Sequence, residues 1–190
     1  MKKPKVHSSK IIFQGFFDLR QDMVEGEDGA LHSYSSLILG TDATVILAQD
    51  PDGRWILNRE YRHPTGRILL GCPGGRLEPE EDPIQGGQRE FYEETGYWSD
   101  QIVLLGCSHP FPGLCNQKVY YLWAKNAFLK GKQQLDPFEL IQTELKTDAE
   151  LKREILAGND IDSALCTALY YKELYEAAQR KSASVQTALS

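Results

Sequence analysis

The chain has 190 residues, 41% of them hydrophobic and 25% charged, with a net charge of −6. That length and balance fit one soluble globular domain with a real core. The acidic balance argues against a nucleic-acid or membrane binder, which carries a basic patch. No apolar run approaches the roughly 20 residues of a membrane span. The basic start, Met1-Lys2-Lys3-Pro4-Lys5, is not followed by an apolar segment of signal-peptide length. The four cysteines, Cys72, Cys107, Cys115 and Cys166, match no zinc spacing and read as reduced thiols. The expected compartment is the cytoplasm.

In chain order, residues 1–10 read as a flexible basic arm. Ile11 to Arg20 is apolar and aromatic enough for a strand. Gly26-Glu27-Asp28-Gly29 signals a turn, and Leu31 to Leu39 reads as the returning strand, making an N-terminal hairpin. Ala43 to Gln49 is a β-branched strand, Asp50-Pro51-Asp52-Gly53 a turn, and Trp55 to Asn58 opens the next strand. The segment Arg59-Glu60-Tyr61-Arg62-His63-Pro64 follows.

Residues 71–97 carry a glycine loop, then a capped helix, then a stop. Asp82 is placed as N-cap, with Pro83 at the first helical position, where its missing N–H costs nothing. Gly96 is placed to end the helix in a left-handed conformation. On that helix Glu90 and Glu94 share a face, with Glu93 beside them and Glu81 just before. Like charges at this spacing weaken a helix, so stability alone does not favour the cluster. A hard divalent cation does, because Mg²⁺ binds carboxylate oxygens and keeps several waters. Taken as a charge run, the cluster also fits a solvated acidic helix face. Arg89 is spaced to pair with Glu93 or to reach back to Glu81. The opposite face, with Ile84, Gly87 and Phe91, suits packing on a sheet. Gly86 and Gly87 each cost roughly 0.8–1 kcal/mol against Ala in a helix interior. Close packing would account for Gly87, while Gly86, one turn before Glu90, would leave room for ions or substrate.

Farther on, Gln101 to Gly106 is a strand, and 108–117 is a loop rich in proline and glycine. Lys118 to Lys125 is a strand. Asp148 to Ala157 and Asp162 to Ala178 read as helices, the second expected to cover the sheet through Leu165, Leu169 and Leu174. Arg180 onward is polar and small and reads as a disordered tail. This organises the chain as an arm over 1–10, one domain over 11–179 and a tail over 180–190.

Gly75, Glu81, Arg89-Glu90-Phe91, Glu93-Glu94 and Gly96-Tyr97 fall at every spacing of the Nudix box. The sequence resembles the Nudix hydrolase family. The loop around Pro112, 15 residues past Tyr97, and the stretch ending in Arg62 resemble the subgroup acting on ADP-ribose and related nucleoside diphosphate sugars. The resemblance implies an α/β fold, the α/β/α sandwich with a mixed sheet, extended here by an N-terminal β-hairpin. It implies a Mg²⁺-dependent pyrophosphatase, with Mn²⁺ as the alternative ion, that releases a nucleoside monophosphate and a sugar phosphate. Glu90, Glu94 and the Gly74 carbonyl would hold metal. Glu93 and Glu139 would serve as candidate bases, with Asp136 next after Glu139, and Arg89 would orient the acids. Arg62 would contact phosphate, since guanidinium bonds phosphate oxygens in pairs. Phe17, with Phe16, would stack on the adenosine half, and Pro112 would line the substrate loop. A homodimer is expected through the N-terminal strands, and neither nucleic acid nor membrane is expected as a partner. The chain departs from the subgroup at Gly71 and Gln117, where relatives carry acids, and at Glu60, where they carry Gln. Two other readings are a Nudix enzyme for dNTPs or dinucleoside polyphosphates, and a non-catalytic nucleotide-sensing domain.

Overall fold

The structure is a computed structural model and describes residues 2–158 and 160–188. Two compact units take up the chain, one of Met1–Asp42 with Ser108–Val119, the other of Ala43–Cys107 with Tyr120–Ser190. The domain expected over 11–179 spans both.

The first unit is built on a three-stranded antiparallel sheet of β1 (Val6–Phe13), β2 (Asp18–Glu25) and β3 (Leu31–Ile38), in that order. The turn at Gly26–Gly29 forms as expected, with Gly29 at φ 76°. The strand leading into it does not run over 11–20. The chain breaks after Phe13 and restarts at Asp18. At the break a Cβ on Gly15 would lie 2.8 Å from the edge of the Phe13 ring, which would have to turn aside. Residues 6–10, expected as part of a flexible arm, belong to β1. Segment 108–119 is tied to β3: the Leu37 N–H donates to the Leu114 carbonyl at 2.8 Å, and Tyr34 Oη donates to the Gly113 carbonyl at 2.9 Å.

In the second unit the central sheet runs in the order β11 (Ile141–Lys146), β5 (Trp55–Arg62), β4 (Ala43–Gln49), β9 (Val119–Lys125), β8 (Gln101–Ser108), with β6 (Arg67–Gly71) paired antiparallel to β5. Helix α1 (Pro83–Thr95) ends at a two-stranded ribbon of β7 (Tyr97–Trp98) and β10 (Phe128–Leu129). Helices α2 (Asp148–Leu156) and α3 (Ser163–Ala188) follow β11.

The period of two along each strand sorts residues between two covered faces. Ile46 and Ala48 of β4, Ile56 of β5, and Leu122 and Ala124 of β9 form one buried cluster with Phe91 of α1. The alternate residues Tyr121 and Trp123 meet α3 on the other side: Tyr121 stacks on Tyr171 at 5.2 Å, and Trp123 meets Tyr175 edge-on at 6.1 Å. A sheet covered on both faces explains why Ile46, Leu47 and Ala48 are all fully buried. This is the expected α/β/α sandwich.

The expected caps of α1 form. Asp82 Oδ1 accepts from the Ile84 and Gln85 N–H groups, Pro83 opens α1, and Gly96 closes it at φ 74°. Thr147 and Glu150 make a reciprocal capping box at α2. Helix α3 continues past Arg180, where a disordered tail is expected, because no glycine or proline interrupts it before Ala188. The last two residues of that tail lie outside the described residues. Among the described residues no helix is long and apolar enough to cross a membrane.

Candidate active site

Strand β5 carries the sheet's core into the site. Its even-numbered side chains lie on the α1 face: Ile56 is in the core, and then come Asn58, Glu60 and Arg62. Helix α1 brings Glu94 over Asn58. Glu94 is 4% exposed, and its Oε2 accepts from Asn58 Nδ2 at 3.0 Å and from the Gly74 N–H at 2.8 Å. Both bonds fall on Oε2, which leaves Oε1 for another partner. Burial pushes the Glu94 carboxyl well above the usual range. The Gly74 N–H opposes that shift, and the charges of Glu60, Glu90 and Glu139 add to it.

The glycine loop is held against β4 on both sides of Gly74. The Ile46 N–H donates to the Pro73 carbonyl and the Thr44 N–H to the Gly75 carbonyl, each at 2.9 Å. Gly74 has φ 151°, and a Cβ there would lie 2.2 Å from the Thr44 carbonyl oxygen, so no other residue fits. At Gly75 a Cβ would meet the Glu90 carboxylate at 2.5 Å. The loop therefore lies directly on the acidic face of α1.

Arg89 ties the acids together. Its Nε and Nη2 donate to the two oxygens of Glu81, both at 3.0 Å. Nη1 donates to Glu90 at 2.9 Å and to Glu93 at 3.1 Å, and Nη2 also reaches the Arg76 carbonyl at 3.2 Å. Glu81 and Glu93 were alternatives by spacing; the guanidinium takes both, and Glu90 besides. The Arg89 hydrogen bond lowers the Glu81 pKa, whereas burial raises that of Glu90.

Gly86 does not make room for ions or substrate. A Cβ there would meet Leu77 Cδ2 at 2.4 Å and Glu81 Oε2 at 2.8 Å, so the space is filled by the loop that Arg89 holds. Gly87 does serve close packing: a Cβ would lie 2.2 Å from Leu122 Cδ1 of the sheet.

Glu139 belongs to the loop before β11. Its Oε2 accepts from the Asp136 N–H at 2.9 Å, and the Glu139 N–H returns to the Asp136 carbonyl at 2.9 Å. The charge of Glu139 raises the pKa of Glu60, Glu90 and Glu94, whereas Asp136 is exposed. Arg62 Nη1 donates to Glu60 Oε1 at 2.5 Å. Of the residues the sequence singles out, Gly74, Arg89, Glu90, Glu93, Glu94, Glu139 and Arg62 thus all belong to the second unit. Phe17 and Pro112 belong to the first. There Phe17 lies 6.2 Å from the Phe13 ring, and Gln117 Nε2 donates to the Thr41 carbonyl at 3.3 Å.

Sequence reasoning missed Asn58. Its one signal is a lone amide inside an apolar strand, and it is 1% exposed. Asp162 was also missed; it faces Arg62 across 3.7 Å.

The side chains gathered here offer oxygen atoms: the Glu94 and Glu90 carboxylates, with the backbone of Gly74 bonded to Glu94. Among the described residues no three His, Cys, Asp or Glu side chains close into a ready-made metal cage. Such a set suits a hard cation that takes few protein ligands and keeps waters. Crowded, partly desolvated carboxylates whose pKa values are raised have the electrostatics that a cation relieves.

A NUDIX domain profile matches residues 39–160. The chain therefore belongs to the Nudix hydrolase family. It is 27% identical over 178 residues to an ADP-ribose pyrophosphatase of Bacillus subtilis, covering 93% of each chain. It is 26% identical over 182 residues to a methanol dehydrogenase activator of Bacillus methanolicus, covering 95% of each. A GDP-mannose pyrophosphatase of Yersinia enterocolitica is 30% identical over 93 residues, covering 45% of this chain and 48% of that protein. A solved ADP compounds hydrolase superposes with a TM-score of 0.83 at 20% identity, over 94% of this chain and 97% of the other, which establishes the fold.

Proposed function

We propose that this protein is a Mg²⁺-dependent pyrophosphatase acting on ADP-ribose or a related nucleoside diphosphate sugar. The observation that carries the reading is the junction of Glu94, Gly74 and Glu90 on a complete set of box acids. The full-length similarity to a B. subtilis ADP-ribose pyrophosphatase supports the substrate class.

Glu90, Glu94 and the Gly74 carbonyl would hold the cation. When bound, it supplies positive charge that offsets the diphosphate and polarises the reacting phosphoryl oxygens. Arg62 binds a phosphate oxygen from the far end of the β5 row. Glu139 takes the proton of a water as that water attacks one phosphorus, and Glu93 is the alternative base. The bridging P–O bond then breaks, and with ADP-ribose the products are AMP and ribose 5-phosphate. Arg89 acts on the acids it bonds, holding Glu90 and Glu93 in register. Phe17 is the candidate for stacking on the adenosine half, and Pro112 belongs to the substrate loop. The protein works as a cytoplasmic homodimer through its N-terminal strands.

The test is hydrolysis of ADP-ribose, ADP-glucose, UDP-glucose, diadenosine polyphosphates and dNTPs, with Mg²⁺ and with chelator. Turnover of ADP-ribose above the rest, abolished by chelator and restored by Mg²⁺, supports the reading. Preference for dNTPs or dinucleoside polyphosphates overturns its substrate class, and nucleotide binding without turnover overturns the activity. Sedimentation showing only monomer at micromolar concentration overturns the dimer. The similarity to a methanol dehydrogenase activator favours a second reading, regulation of a partner enzyme. The complete box acids favour hydrolysis as the underlying chemistry in either case.

A further inference from the structure

Gly71 ends β6 opposite Asn58, so a side chain there would point to the α1 face, beside the row of Asn58, Glu60 and Arg62. That space is occupied from elsewhere in the chain. A Cβ built on Gly71 would lie 3.2 Å from Asp162 Cβ and 3.9 Å from Asp162 Oδ2. Residues 160–162 run along the edge of β6: the Leu70 N–H donates to the Asp160 carbonyl at 2.8 Å, and the Asp162 N–H donates to the Leu70 carbonyl at 2.9 Å. Asp162 is thereby held by its backbone, and it stands at the head of α3, with Oδ1 accepting from the Ala164 N–H at 2.9 Å. The other oxygen, Oδ2, lies 3.7 Å from Arg62 Nη2, while Glu60 takes Arg62 Nη1. The two terminal nitrogens of one guanidinium are thus bracketed by carboxylates from two elements far apart in sequence.

We propose that Asp162 is a positioning residue for the hydrolytic site, supplying through the space left by Gly71 the carboxylate that aims Arg62 at the substrate phosphate. The proposal rests on the pyrophosphatase reading above. An arginine with four flexible side-chain torsions binds phosphate well only when its plane is set in advance, and two anchored acids set it. Side-chain exposure agrees with this division of labour: Arg62 is 42% exposed, whereas Glu60 and Asp162 are 17% and 28% exposed. A Cβ at residue 71 would press on the Asp162 Cβ at 3.2 Å, so Asp162 would have to give by a few tenths of an ångström; glycine leaves it undisplaced.

Steady-state kinetics with ADP-ribose and Mg²⁺ test this on four proteins: wild type, Arg62→Ala, Asp162→Asn, and the exchange variant Gly71→Asp with Asp162→Gly. Asparagine caps a helix as well as aspartate, and glycine costs only a few tenths of a kcal/mol there, so α3 is preserved in both Asp162 variants. Asp162→Asn is expected to raise KM about fivefold, the worth of a partly exposed ion pair, with kcat within about twofold and an unchanged melting temperature. The exchange variant is expected to recover the wild-type KM. A wild-type KM in Asp162→Asn, beside a raised KM in Arg62→Ala, overturns the role of Asp162 and leaves the pyrophosphatase reading standing. A folded exchange variant with the KM of Asp162→Asn overturns the shared space. Wild-type protein that hydrolyses no nucleoside diphosphate sugar fails the functional reading itself, and this inference with it.

Discussion

The Gly74 N–H donates to Glu94 Oε2 at 2.8 Å, and this bond joins the glycine loop to the last turn of α1. Asn58 bonds the same oxygen from β5. One buried carboxylate is therefore oriented by a loop and a strand, and its second oxygen is aimed by those two contacts.

Glu94→Gln should keep both of these hydrogen bonds, because the amide oxygen accepts as the carboxylate does. It loses the charge. The expected outcome is a protein that melts at or above the wild-type temperature without metal and has lost nearly all hydrolysis. Circular dichroism melts and product release check the two halves, and wild-type-like turnover would sink the metal-binding role.

Arg89 bonds three carboxylates and a carbonyl through a planar fork that lysine cannot reproduce. Arg89→Lys keeps the charge but should lower kcat/KM by about 10–100-fold, the usual effect of losing a group that orients metal ligands. Mg²⁺ titration of activity should shift to higher concentration in parallel.

Glu139 and Asp136 share a turn, and the charge of Glu139 raises the Glu94 pKa. Glu139→Gln should lower kcat by about 10²–10⁴-fold, the range for losing a general base. Asp136→Asn, which retains the backbone bonds to residue 139, should remain close to wild type. Equal losses in the two variants would remove Glu139 as base and point to the turn itself.

Gly87→Ala sets helix propensity against packing. Propensity favours alanine by about 1 kcal/mol. The added methyl would lie 2.2 Å from Leu122 Cδ1, and overpacking of this kind costs about 1–3 kcal/mol. A net loss of stability in urea denaturation is expected, and a gain would show that α1 can lift off the sheet.

Away from the site, Glu154 bonds Lys146 at 2.7 Å and Arg59 at 2.6 Å. The Lys146 bond, with Arg59 behind it, holds the Glu154 carboxyl below its ordinary pKa. A folded-state pKa below the unfolded one contributes stability above the unfolded value, about pH 4.5, and loses it as pH falls through the folded value. Glu154→Gln should therefore be less stable by on the order of 0.5–1 kcal/mol near neutrality. The difference should shrink as pH falls below about 4.5 and vanish once Glu154 is protonated in the folded protein, as denaturation at a series of pH values would reveal.

The site's chemistry was legible along the chain because α1 is a local structure. Asp82, Pro83 and Gly96 mark its ends within one stretch, and a period of 3.6 residues sets Glu90 and Glu94 on one face without reference to anything distant. The same holds for the β4 strand and the 50–53 turn. What the sequence by itself determined was thus the helix, its acids and the family's box. Tertiary structure alone decided which atoms meet. Asn58 lies 36 residues before Glu94, and Asp162 lies 100 residues after Arg62, so no periodicity links either pair. Gly86 looked like space beside the acids until Leu77 and Glu81 were folded into it. Gly71 looked like a missing acid until the sheet edge brought Asp162 alongside. Local spacing fixes the direction of a side chain on its own helix or strand, whereas the volume it faces is filled by segments whose arrival depends on strand order and backbone pairing.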